Sequence, residues 1–160
     1  MTTHTEYHYL ESGLDYIYLA NGFDYSDGPR GRQVTIQNID GLHRAIGRML
    51  VETKKNLTGK EIRFLRHEML MSQATLAKLL EMSEQAVARW EKGKTGVPKP
   101  AESLIRLLYR EHMKGDASGK SEIRRNLERI ADLENAIDGQ RVTMRTPANS
   151  KEWKPTLQAA

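Results

Sequence analysis

Cysteine is absent from the 160 residues, so the chain can form neither a disulfide framework nor a thiolate zinc site and has no thiol nucleophile. A reducing, cytoplasmic setting is the expectation. No apolar run approaches the roughly 18 residues needed to cross a bilayer, and the opening MTTHTEYHYL lacks the basic-then-apolar order of a secretory signal. A soluble protein without a membrane partner is expected. Neither sign of charge dominates, since 25 Lys and Arg stand against 21 Asp and Glu for a net charge of +4. That balance permits a polyanionic partner without demanding one. Its distribution says more: residues 1–57 carry 6 basic and 7 acidic side chains, 58–114 carry 11 and 7, and 115–160 carry 8 and 7. The basic surplus is central. With 29% charged and 38% apolar residues, two modest units are expected rather than one large core.

Residues 7–38 are rich in Tyr and β-branched types. YHYL, LDYIYLAN and RQVTIQN read as short strands separated by turns at Gly13, Gly22 and SDGPRGR, which makes a small antiparallel sheet of about three strands. From Asp40 the period changes: Leu42, Ile46, Met49 and Leu50 recur at helical spacing, and Asp40 is placed to cap a helix over 41–54. TKKNLTG interrupts the pattern and puts a boundary near residues 55–57. Thr58 and Glu61 fit a capping box, with Leu57 and Ile62 as its hydrophobic staple, at the start of a helix over 58–69.

Ser72 and Ser83 are placed to cap the next two helices, with only EMS between them and Gly93 stopping the second. Pro100 suits the first position of a fourth helix carrying Leu104, Ile105, Leu107 and Leu108. Residues 121–138 set Ile123, Leu127, Ile130, Leu133 and Ile137 in an amphipathic stripe. That stripe is to be buried either on its own domain or on the same helix of a second copy. The end of the chain reads as a flexible tail with one strand at 141–145. The expected class is α+β: a small β-rich unit with one helix over 1–57, an all-helical unit over 58–114, an amphipathic helix within 115–140, and a tail over 141–160.

In the stretch from Gln73 to Trp90, the residues Leu76, Ala77, Leu80, Met82, Val87 and Trp90 occupy positions that must be apolar or small if two short helices cross over a shared core. With the closing RWEKGK, this pattern resembles the Xre/Cro, or lambda-repressor-like, helix-turn-helix family over residues 58–113. The resemblance implies a left-handed residue in the turn where the family has glycine, and Glu81 holds that place here. It also implies that the third helix presents Ser83, Glu84, Gln85, Ala88 and Arg89 to the major groove of DNA. Arg can pair two donors with guanine, and Gln can pair donor and acceptor with adenine. Gln85 and Arg89, four apart on one helical face, are therefore the expected base readers. Glu84 could accept from a cytosine amino group or answer the helix dipole, and the dipole is preferred. Gln73 resembles the family's phosphate-clamping Gln. Ser72, Lys92 and Lys94 are further phosphate candidates, although the two lysines equally fit a solvated face. Trp90 reads as core.

The sequence from YHYLESGLDYIYLANGF through VTIQNIDGLHRAI, followed by this second unit, resembles YgiT/MqsA-type antitoxins. In that family the first domain binds zinc through four cysteines and holds a toxin, and the second binds an operator as a dimer. Zinc does not carry over to a chain without cysteine. His4, His8 and Glu11 fall in strand-like sequence and do not form a metal site, and DYSDGPRGR lacks the residues of a phosphate or calcium loop and reads as a turn. No catalytic arrangement and no cofactor is expected. The reading is a DNA-binding repressor that binds a palindromic operator as a homodimer, with an autoregulating antitoxin as its most specific form. The alternatives are a toxin-neutralising module in which DNA binding is secondary, and a stand-alone Xre-type regulator with no toxin.

Overall fold

The computed structural model describes residues 6–114, 122–135, 141–149 and 151–157. Two antiparallel hairpins come first, followed by helices, with a third hairpin near the end. Strands β1 (Tyr7–His8) and β2 (Tyr18–Leu19) pair over two residues, whereas β3 (Phe23–Gly28) and β4 (Gly31–Ile36) pair over their whole length. The expected sheet of YHYL, LDYIYLAN and RQVTIQN is thus two separate ladders. DYSDGPRGR is also mostly strand rather than turn. Phe23 and Tyr25 pack edge to face and carry the alternation of a strand, and only Pro29 and Arg30 remain between Gly28 and its partner Gly31.

Helix α1 runs Ile39–Thr53 and is capped by Asn38 rather than Asp40, which lies in the first turn. Asn38 adopts a left-handed φ of 45°, a conformation its short polar side chain tolerates, and its Oδ1 accepts from the Gly41 amide at 3.2 Å. Helix α2 (Gly59–Glu68) is capped by Thr58 as expected, but Glu61 does not return the bond in capping-box fashion. Its carboxylate is buried instead, where Oε1 accepts from the Tyr16 hydroxyl at 3.1 Å and lies 3.7 Å from the Lys54 ammonium. Tertiary partners outcompete the local cap. Leu57 and Ile62 are both buried, as the staple requires.

Helices α3 (Gln73–Leu79), α4 (Glu84–Glu91) and α5 (Lys99–Met113) complete the central unit. In α5 Pro98 is the N-cap and Pro100 occupies the second helical position rather than the first. Helix α6 (Glu122–Ala131) continues into a 3-10 turn at Asp132–Asn135, so the expected 121–138 helix is shorter where it is described, and Ile137 lies outside the described residues. Ile123 and Leu127 pack on the core, against which α6 lies beside α3 and α5, while Ile130 and Leu133 stay exposed. In the tail, β5 (Val142–Arg145) is joined by a strand the sequence did not suggest, β6 (Lys154–Leu157).

The buried residues form one cluster, from Tyr9, Leu14 and Leu19 through Ile46 and Leu50 to Ile105, Leu108 and Tyr109. Within this cluster α1 packs on α2 and α5, across the expected boundary near residues 55–57. Arg106 of α5 donates to the carbonyls of Leu50, Val51 and Lys54 at 3.2, 2.9 and 2.6 Å at the C-terminal end of α1, where the Leu50 carbonyl also accepts from the Lys54 amide at 3.4 Å. Glu102 holds that guanidinium at 2.6 Å and accepts from the Leu57 amide. Gly47 permits the approach, because a Cβ there would sit 2.0 Å from the Tyr109 hydroxyl.

Candidate nucleic-acid interface

Helices α3 and α4 are each started by a serine. Ser72 Oγ accepts from the Thr75 amide at 3.0 Å, and Ser83 Oγ accepts from the Ala86 amide at 3.1 Å. The helices α2, α3 and α4 all end in the same turn, in which the amide two residues past the helix cap bonds back to a carbonyl five residues earlier. The pairs are Met71 to Arg66, Met82 to Ala77 and Lys94 to Arg89, at 3.1, 2.9 and 2.9 Å. This Schellman arrangement places one residue in the left-handed region. Those residues are Leu70 (φ 54°), Glu81 (φ 52°) and Gly93 (φ 69°). The left-handed turn expected at Glu81 is therefore present, and Leu70 adds a second without glycine, each costing roughly 1 kcal/mol.

Leu76, Ala77, Val87 and Trp90 are buried between the crossed helices, with Leu79 added to the expected set. Leu80 is half-buried, and Met82 departs from the expectation at 38% exposure because it follows the turn out of the core. Val87 and Trp90 fix the rotation of α4. Ser83, Glu84, Gln85 and Arg89 consequently face solvent, with Ala88 half-buried among them. Among the described residues the side chains of Gln85 and Arg89 have no hydrogen bond or ion pair, which leaves their donors and acceptors available. Glu84 opens α4 beside its Ser83 cap, a place favoured by the positive end of the helix dipole. Lys92 and Lys94 are exposed just past the helix.

Gln73, which resembles the family's phosphate-clamping Gln, also has a partner within the protein. Its Nε2 donates to Glu91 Oε2 at 2.7 Å, which commits one amide proton and leaves the second, with the first-turn amides of α3, for an anion. Glu91 is itself gripped by Arg66, Nε to Oε1 at 2.5 Å and Nη2 to Oε2 at 2.9 Å, and Arg66 also donates to the Met71 carbonyl at 2.8 Å. One buried fork thus ties the end of α2, the start of α3 and the end of α4. Sequence reasoning passed over both partners. The available signal was that Arg66 falls on the apolar stripe of Ile62, Leu65 and Met69, where an unpaired cation would be costly.

Burial pushes the Glu91 carboxyl up, but the bonds from Arg66 and Gln73 outweigh it and hold it below the ordinary 4.5. Glu102 follows the same balance, with burial opposed by Arg106 and Lys99. A carboxyl whose pKa is depressed by folding adds stability that is complete above its unfolded pKa and lost as pH falls through the folded one. The thermal midpoint is therefore expected to be level from neutral pH to about 5 and to drop once pH passes below about 4.5. A midpoint unchanged at about pH 3, followed by circular dichroism, would contradict the ion-pair assignment. His67 is displaced downward by burial and by Arg66 and Arg63, both of which point N–H groups at its Nε2.

Residues 62–102 match the Helix-turn-helix family. They span α3, α4 and most of α2, which are the elements just described. That match supports a DNA-binding transcription regulator. No curated protein and no solved structure matches the chain. No helix among the described residues is long and apolar enough to cross a membrane.

Proposed function

We propose that this protein is a sequence-specific repressor that reads double-stranded DNA with α4 and binds a palindromic operator as a homodimer. The observation that carries the reading is the division of α4 into a buried edge, Val87 and Trp90, and a solvent edge on which Gln85 and Arg89 lie uncommitted one turn apart. Ser83, Glu84 and Ala88 complete that edge. Ser72, Gln73, Lys92 and Lys94 flank it as phosphate contacts. Two copies would place their α4 helices about 34 Å apart, one turn of duplex.

Arg89→Ala should remove discrimination at one base pair, about 1 to 3 kcal/mol on operator DNA, with little effect on random duplex. Lys94→Ala should weaken both DNAs alike and flatten the salt dependence by about one phosphate. Binding measured on the footprinted upstream region of the protein's own gene against random duplex checks this. Equal losses on the two DNAs for Arg89→Ala would sink the assignment.

The most specific form of the proposal is an autoregulating antitoxin whose N-terminal unit covers a toxin. It draws on exposed apolar side chains of that unit, Leu10 and Tyr18 being more than half exposed and Tyr25 44% exposed. Co-purification with the product of a neighbouring reading frame tests it. A gene standing alone would favour a regulator without a toxin.

A further inference from the structure

The hairpin β5/β6 is not explained by the helix-turn-helix. Over residues 141–157 it carries Arg141, Arg145, Lys151 and Lys154 against the single acid Glu152. All four cations are exposed, and none has an ion pair among the described residues. The register sets Arg145 directly opposite Lys154, so two like charges share one face at the closest cross-strand spacing, an arrangement that weakens a ladder. Trp153, immediately before Lys154, is 65% exposed, and Val142 and Met144 are each 49% exposed. A two-stranded hairpin with so little burial is marginal by itself in water. A polyanion laid on it would neutralise the facing cations and offer flat surface to the indole.

The hairpin follows α6 in the chain, and α6 is anchored on the central helical unit. α6 packs on α3, and Lys78 of α3 bonds Asp132 at 3.0 Å, just where the 3-10 turn begins. From Asn135 to Arg141 the backbone reaches at most about 20 Å. We propose that β5/β6 is a second DNA-contacting element that lays Arg145, Lys154 and Trp153 against the duplex backbone and groove beside the helix-turn-helix. Cationic strands with an apolar wedge are a known means of engaging a groove. The inference rests on the proposal that the chain binds DNA and adds to it a contact that is independent of α4.

The test uses the full chain and a fluorescein-labelled random-sequence duplex, titrated over a range of salt. Neutralising two phosphate contacts with R145Q/K154Q should lower the slope of log affinity against log salt by about 2. Arg30→Gln, in the turn between β3 and β4 and outside the proposed contacts, should leave that slope nearly unchanged. The second readout is tryptophan emission: Trp90 is 3% exposed and Trp153 is 65%, so added duplex should shift emission in the wild type and not in Trp153→Phe. An unchanged slope and unchanged Trp153 emission, with duplex still bound, would overturn the hairpin proposal and leave the repressor reading intact. Failure of the wild type to bind any duplex would remove both. Binding of phosphatidylglycerol vesicles lost in R145Q/K154Q, with the duplex slope unaltered, would reassign the hairpin to a lipid surface and overturn the proposal.

Discussion

Replacing Gly59 by alanine is expected to lower the stability of the fold by about 3 kcal/mol or more, at the upper end of overpacking effects. Gly59 is the first residue of α2, and a Cβ there would stand 1.8 Å from the Trp90 carbonyl oxygen and 2.8 Å from its carbon. Backbone cannot rotate aside as a side chain can, so α2 would have to back away from the end of α4. On helix propensity alone the exchange should be favourable, because alanine is the better helix former by about 1 kcal/mol. The sign of the effect therefore separates the two causes. Gly96→Ala is the control, since nothing lies within 4 Å of its Cβ position and its φ is not in the left-handed region. Urea denaturation of the two variants should show a large fall for the first and almost none for the second. Equal behaviour would mean that α2 and α4 do not meet in this way.

Glu91→Ala should be comparably severe, about 3 to 5 kcal/mol, the range for removing one partner of a buried ion pair. The Arg66 side chain is 8% exposed and donates to both Glu91 oxygens, so the substitution strands a cation away from water. Gln73 loses its acceptor in the same step. Glu91→Gln retains one acceptor oxygen and should fall between wild type and alanine. A loss below about 1 kcal/mol for Glu91→Ala, in the same denaturation assay, would show that Arg66 reaches solvent or another acceptor. DNA affinity should drop further than stability alone accounts for, because Glu91 joins the start of α3 to the end of the proposed reading helix.

The parts legible from sequence were those written in local signals. Thr58, Ser72 and Ser83 each cap the helix they were expected to cap, and the alternation around Leu76, Val87 and Trp90 sets the rotation of α4, because caps and periodicity act within a few residues. The parts that escaped depend on residues far apart in the chain. Arg106 reading the end of α1, Glu61 taken by Tyr16 instead of its own helix, and Gly59 against Trp90 leave no periodic trace. The Asn38 cap uses a left-handed backbone that no local pattern signals, whereas Asp40 carries the ordinary cap signature from within the first turn. β3 was hidden by its composition, for Asp24, Ser26, Asp27 and Gly28 are turn formers held extended by full pairing with β4.

The grip of Arg106 on the last carbonyls of α1 has a consequence for how such a chain can change over evolutionary time. A helix-turn-helix that folds as a cassette can be cut from one gene and joined to another, because its neighbours touch it only through a linker. Here the terminus of α1 is completed by α5, and Gly47 and Tyr109 are cut to each other's shape. Recombination at residues 55–57 would leave unsatisfied carbonyls on one fragment and a displaced guanidinium on the other. The proposed reading helix can vary residue by residue at Gln85 and Arg89, but the unit that carries it must be inherited together with α1.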